Sequence, residues 1–267
     1  RWDGIPSADG RYIAHTDKDQ QLWLYDTQTK KNTRLAVNND GGFADVRWSP
    51  DGKWLAYVAP ATNQFGQIFL YSVESGKATA VTSDRYDSES PTWSPDGKWL
   101  YFLSDRNLQS LVGAPWGSRA PEPFFDKQTM IFALALSPNE RSPFQPDDEL
   151  GAGKPVAVKT DSTAKSPAPD SIKPPAARQG VPPSPRLTVN LDGIERRLIE
   201  VPAPPGNYGL LTTDGKRLYF LSRDVGPTTR PVLMSFPIEN KDPKPETFMA
   251  DVRGYELSLD AKKILVR

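Results

Sequence analysis

The sequence predicts an all-β fold, a β-propeller built from four-stranded antiparallel blades, and three observations carry that expectation. The phrase Trp-Ser-Pro-Asp-Gly-Lys-Trp-Leu occurs twice, at Trp48–Leu55 and at Trp93–Leu100. Weaker copies stand at Ser7–Ile13, Thr213–Leu218 and Ser258–Ile264. Short apolar runs separated by turn residues follow each copy. Self-similarity at a period of roughly 40–45 residues is the mark of a radial or stacked repeat. Asp-Gly between two apolar runs signals a hairpin, and a type I′ turn with positive φ at both central residues is the expected geometry.

The elements follow in order. After the first turn come Arg11–His15, Gln21–Asp26, a turn near Gln28–Lys31, and Asn32–Val37. After Asp51-Gly52 come Lys53–Val58, a polar loop, Gln67–Val73, a Glu-Ser-Gly turn at 74–76, and Lys77–Thr82. Three short strands after an inner one, joined by tight turns, fill one propeller blade. No segment of 12 or more residues has a helical period.

The spacing of the turns locates two insertions. Asp9 to Asp51 is 42 residues, Asp51 to Asp96 is 45, and Asp214 to Asp260 is 46, but Asp96 to Asp214 is 118. Much of the excess lies in 142–185, with ten prolines among Ser, Ala, Lys, Asp and Gly. Such a stretch buries too little apolar surface to offset its ordering entropy, so it reads as a disordered insertion within the propeller. A second insertion, 107–128, carries Trp116, Phe124 and Phe125 and reads as a loop that packs. Ser137-Pro138-Asn139-Glu140 resembles another inner turn. Because Ile131–Leu136 matches the third strands Leu22–Tyr25 and Ile68–Tyr71, it reads instead as a turn between third and fourth strands. A separate degraded blade is the other reading. The whole of 1–267 is thus expected to be a propeller segment of about four to five blades. The last blade stops after two strands, as in an arc of a six- or seven-bladed parent.

Composition narrows the function. Lys+Arg and Asp+Glu are both 33, so no basic field points to nucleic acid or anionic lipid. There is no run of 18 apolar residues, and so no membrane span of the helical kind. Cysteine is absent, which excludes disulfides and thiolate chemistry. His15 is the only histidine, so a His/Cys metal site cannot be assembled, and no cofactor is expected. His15 falls in a second strand and reads as a packed or hydrogen-bonded residue. No Gly-x-Ser-x-Gly elbow is present, and the chain by itself is expected to be non-catalytic. No secretory signal opens it, and Arg1-Trp2-Asp3-Gly4 reads as the middle of something longer.

Ser-Pro-Asp-Gly-Lys hairpins also occur in TolB and in dipeptidyl- and oligopeptidase propellers. Three further stretches are more selective. Leu100–Asn107 leads into Gly117–Lys127, Ile131–Leu150 ends in Ser-Pro-Phe-Gln-Pro-Asp-Asp-Glu-Leu, and Leu191–Tyr208 closes the Pro-rich insertion. Together they resemble the second propeller of bacterial tricorn-type serine peptidases over roughly Asp45 to Arg267. The resemblance implies that a PDZ module and a catalytic domain related to C-terminal-processing peptidases follow, with the nucleophilic serine there. It implies a non-catalytic propeller that gates or guides peptide or unfolded-protein substrates to that peptidase, and allows a homo-oligomer. The alternative is a TolB-like interaction propeller with no attached protease. The residues themselves name no compartment; the resemblance points to the periplasm or cell envelope, because many bacterial relatives are exported.

The polar loops supply the candidate binding residues. Asp17-Lys18-Asp19, Ser104-Asp105-Arg106-Asn107 and Ser222-Arg223-Asp224 follow second strands. Asn38-Asn39-Asp40 and Ser83-Asp84-Arg85-Tyr86-Asp87 join blades. In a propeller these loops share one face, so Asp84, Arg85, Asp87, Asp105, Arg106, Asn107, Arg223 and Asp224 are candidates for one mouth of the channel. They either pin neighbouring loops by charge-assisted hydrogen bonds or contact peptide. Trp48, Trp54, Trp93 and Trp99 are expected to pack between blades.

Overall fold

Ser two residues ahead of Asp and Gly after it build the same corner in blades 1, 2 and 3, with Pro in the turn of blades 2 and 3. A computed structural model of the chain describes residues 4–110, 125–146, 187–226, 229–258 and 260–267. In the turns Ser7–Gly10, Ser49–Gly52 and Ser94–Gly97, the glycine N–H returns to the serine carbonyl at 2.9 Å. Only the glycine has positive φ, at 69°, 68° and 72°. The Asp keeps negative φ, which corrects the expected type I′ geometry: this is a type I turn followed by a left-handed glycine. The reason lies in the side chains. Ser49 Oγ donates to Asp51 Oδ1 (2.7 Å) and accepts from Trp54 N (2.9 Å), while Asp51 Oδ1 takes Lys53 N (3.1 Å). Ser94/Asp96 and Ser258/Asp260 repeat the arrangement. Pro50 and Pro95 fit the second position of a type I turn, where φ is near −65°.

Each turn joins the two inner strands of a blade. Blade 1 comprises β1 (Ile5–Pro6), β2 (Tyr12–Thr16), β3 (Gln21–Asp26) and β4 (Asn32–Val37). Blade 2 comprises β5 (Ala44–Trp48), β6 (Trp54–Pro60), β7 (Gly66–Ser72) and β8 (Lys77–Ala80). Blade 3 comprises β9 (Ser88–Trp93), β10 (Trp99–Asp105), β11 (Thr129–Ala135) and β12 (Leu198–Glu200). Blade 4 comprises β13 (Tyr208–Thr213), β14 (Arg217–Ser222), β15 (Val232–Pro237) and β16 (Glu246–Ala250), and β17 (Tyr255–Leu257) pairs with β18 (Ile264–Val266). Among the described residues the sheets are four of four strands and one of two, each in simple up-and-down order. A 3-10 turn at Ile194–Arg197 is the one helical element among the described residues.

Burial on both faces explains why the middle strands read as unbroken apolar runs. Along β10, Leu100 and Phe102 face blade 2, joining Ala56, Val58, Ile68 and Leu70. Trp99, Tyr101 and Leu103 face blade 4 and meet Leu211, Leu218, Phe220 and Phe236. The period is two, as a strand requires, but both faces are core. Ala14, Leu22 and Leu24 pack in the same way on Leu55, Tyr57 and Tyr71, and Tyr219 and Leu233 pack on Tyr255 and Val252. Tryptophans reinforce these seams. Trp48 Nε1 donates to the Ile5 carbonyl (2.8 Å) and Trp93 Nε1 to the Arg47 carbonyl (3.1 Å), so an indole in one inner strand ties the inner strand before it.

Ser137–Glu140 leads out of the third strand of blade 3 and β12 is the fourth, so the stretch lies between third and fourth strands, with no further strand between them among the described residues. At the start of the Pro-rich stretch Phe144 packs on blade 4, 6.2 Å from Phe236 between ring centres, while Gln145 and Pro146 are exposed. Residues 147–186 and 111–124, which hold most of both insertions, fall outside the described residues. The chain returns at Leu187, whose N–H reaches Asp51 Oδ2 (3.3 Å) and whose side chain lies against Gly97. Leu187 thereby wedges between the inner turns of blades 2 and 3.

Candidate functional site

The topology puts second-to-third loops and blade connectors on one face, opposite the Asp-Gly turns. Several of the predicted residues there contact neighbouring loops, some through side chains and some through backbone atoms. Asn63 Nδ2 donates to the Asp84 carbonyl (2.7 Å), and Gly66 N–H donates to Asp87 Oδ1 (2.7 Å). A Cβ at Gly66 would lie 2.7 Å from the Ser88 carbonyl, so glycine permits this close approach of loop and connector. Asn107 Nδ2 holds the Lys127 carbonyl at 2.8 Å. Arg106 lies over the rings of Tyr86 (4.7 Å) and Phe132 (4.4 Å) with Nε on Ser104 Oγ (3.1 Å). Half-burial lowers its pKa, and the cation–π contacts offset part of that desolvation. Arg85 projects from the connector and is exposed. Arg223 and Asp224 sit on the corresponding loop of blade 4, where Arg223 N–H meets the Asn207 carbonyl (3.1 Å) and the Asp224 carbonyl accepts from Thr229 Oγ1 (2.6 Å).

Two of the predicted residues, Asp87 and Asp105, converge with one that sequence reasoning missed. They share with Glu89 a cavity of about 320 Å³ at the seam of blades 3 and 4, also lined by Gln128, Thr129, Asn207 and Tyr208. Asp105 Oδ1 accepts from Thr129 Oγ1 (2.8 Å). Asn207 bridges the loops, accepting from Lys127 N–H (3.0 Å) and donating to Asp126 Oδ1 (2.7 Å). Asp45, on the neighbouring inner strand, accepts Ser90 N–H at 2.8 Å. None of Asp45, Asp87, Glu89 and Asp105 is in an ion pair among the described residues.

The electrostatics follow from that crowding. Glu89 is exposed to solvent at one end, yet partial burial, with Asp45, Asp105 and Asp87 beside it, pushes its pKa up to about 7. Burial also raises Asp105, aided by the charge of Asp87 and opposed by the Thr129 hydroxyl. Burial alone pushes the Tyr208 hydroxyl up to about 12, and its O–H is held by the Pro204 carbonyl (2.6 Å). Among the described residues no group of three or more His, Cys, Asp or Glu side chains is arranged to hold a metal ion. An uncompensated carboxylate cluster of this kind attracts cations and protons and repels anions.

Glu89 stands immediately before a β-bulge. Register shifts interrupt β5, β9 and β13 at equivalent places, with positive φ at Asp45 (49°), Ser90 (52°) and Leu210 (55°). The extra residue re-aims the neighbouring side chains. The signal available in the sequence was the repeat itself: a shift of 45 residues sets Glu89 against Ala44, a charge where its copy has a methyl group.

Blades of four up-and-down antiparallel strands, packed face to face around a loop-rimmed mouth, define a β-propeller. The chain belongs to the tricorn protease second β-propeller domain family, whose model matches residues 2–267. It is 22% identical, over 97% of its length, to tricorn protease homolog 1 of Streptomyces coelicolor. Over 38% of its length it is 29% identical to a Sulfurisphaera tokodaii protein whose name describes a tricorn-like protease C-terminal subunit. The crystal structure of the tricorn protease superposes on 99% of the chain with a TM-score of 0.73 at 18% identity, which shows the shared fold. The chain spans 23% and 12% of the lengths of the two named relatives and 24% of the crystallised chain.

Proposed function

We propose that this chain is a non-catalytic propeller of a tricorn-like serine peptidase that guides peptide substrates toward a peptidase domain. The observation that carries the reading is the mouth cavity with Asp87, Glu89 and Asp105, whose charges no cation of the protein offsets among the described residues. Family membership supports the setting, because the relatives' names speak of tricorn proteases. The physical role is electrostatic steering. A rim of one sign raises the local concentration of oppositely charged solutes and speeds encounter by about 10- to 1,000-fold at low salt. Peptides with a free amino terminus or basic side chains are the class drawn in. Peptide arriving at the rim also meets Tyr208, which supplies an aromatic wall beside the carboxylates.

Kinetics of the intact parent peptidase test the reading. Glu89→Gln raises KM for cationic peptides several-fold and leaves kcat unchanged, since an encounter step is altered and no reacting group is touched. Added salt narrows the difference between variant and wild type. An unchanged KM, or a loss confined to kcat, contradicts the proposal.

A further inference from the structure

A second cavity lies on the opposite, turn-bearing face of blade 3. The chain leaves β11 through Ser137–Glu140 and comes back to β12 through the 3-10 turn Ile194–Arg197. Between these stretches is a space of about 360 Å³ with Ala135 and Ile199 on one side and Asn139, Glu140, Arg196 and Arg197 on the other. Glu140 is already paired with Lys98 Nζ at 3.2 Å, whereas Arg196 is exposed and in no ion pair among the described residues. The state of Arg197 sets the site apart. Its Nη2 donates to the carbonyls of Asn190 and Asp192, but its Nε and Nη1 are buried and have no partner. Guanidinium cannot shed its charge, so a buried donor left unmatched calls for an acceptor.

We propose that this cavity binds a small oxyanion, with the Arg197 guanidinium as the principal contact and Arg196 at the rim. The apolar wall of Ala135 and Ile199 favours a carboxylate carrying a short aliphatic body over inorganic phosphate. Nε and Nη1 are shut off from bulk water, so contact with the ligand requires the guanidinium to turn toward the cavity. Planar fork geometry makes arginine suited to this contact and lysine a poor replacement. Nothing in the proposal depends on the steering role of the acidic face, which lies at the other end of the strands.

The test is a titration of the nitrogen-15-labelled chain with butyrate, phosphate or chloride at constant ionic strength, following the arginine Nε–Hε signals. Loss of one signal in Arg197→Lys assigns it. The expected result is a saturable shift of the Arg197 signal with butyrate, a weaker one with phosphate, and none with chloride. Arg196→Ala should weaken butyrate binding at least about threefold. Equal response to phosphate and butyrate would keep the oxyanion site and remove its preference for a carboxylate. No saturable shift with either oxyanion, or the same response to chloride (an adventitious ion only), overturns the proposal. Should Arg197→Lys fail to fold by circular dichroism, the wild-type and Arg196→Ala titrations still decide.

Discussion

Glu89 shows how one side chain becomes unusual through its neighbours. Asp45, Asp87 and Asp105 stand around it without an ion pair among the described residues, so its ionised form is disfavoured in the folded state. The consequence for stability has a definite sign. Because the folded pKa lies near 7, above the ordinary carboxylate value of 4.5, the folded state holds a proton that the unfolded state releases. Stability from this group is therefore complete below about pH 4.5 and is lost as pH rises through about 7. The melting temperature of the wild type should fall across that window, and the fall should shrink in Glu89→Gln. Parallel melting curves for the two proteins would show that the group titrates normally. In the sequence Glu89 was hidden in a strand of ordinary appearance, Ser-Glu-Ser-Pro-Thr-Trp, and nothing local marked it. Asp87 and Asp105 were legible because they belong to polar loops, while the carboxylate between them became visible only once the bulge aimed it at the same cavity.

Among the elements, the inner turn and the seam are the recurring units. The turn was visible from Ser-Pro-Asp-Gly, but its type was not. The Ser and Asp side chains satisfy the backbone N–H groups of the corner, and this favours the type I form with a left-handed glycine over the mirror-image turn. Strand order was equally legible, because consecutive short runs with tight turns leave an up-and-down sheet as the simple solution. The return of the chain at Leu187 was not legible, since no feature of Arg186-Leu187-Thr188 predicts a wedge. Leu187 joins the core between blades 2 and 3 and touches Gly97, while its N–H bonds Asp51. Leu187→Ala should therefore cost about 2–3 kcal/mol by denaturant titration, a core-truncation value. An effect within about 0.5 kcal/mol, typical of a surface site, would mean that the returning segment does not brace the seam.

For the molecule as a whole, the repeat sets the architecture and departures from the repeat set the chemistry. Faces of β10 and β11 buried on both sides make each blade depend on its neighbours for a core. The same packing holds loops from blades 3 and 4 close enough to form the acidic mouth. Carboxylates in no ion pair among the described residues line the connector-side cavity, and Arg196 and Arg197 line the turn-side one together with Glu140. A carboxylate mouth that receives positively charged peptide should distinguish a free amino terminus from a blocked one. Isothermal titration of the chain with a short peptide, once with a free amino terminus and once acetylated, tests it most directly. The expected result is measurable binding of the free-amine peptide at low salt that weakens on acetylation, with added salt, and in Glu89→Gln. Equal affinity for the two peptides, unchanged by Glu89→Gln, would contradict it.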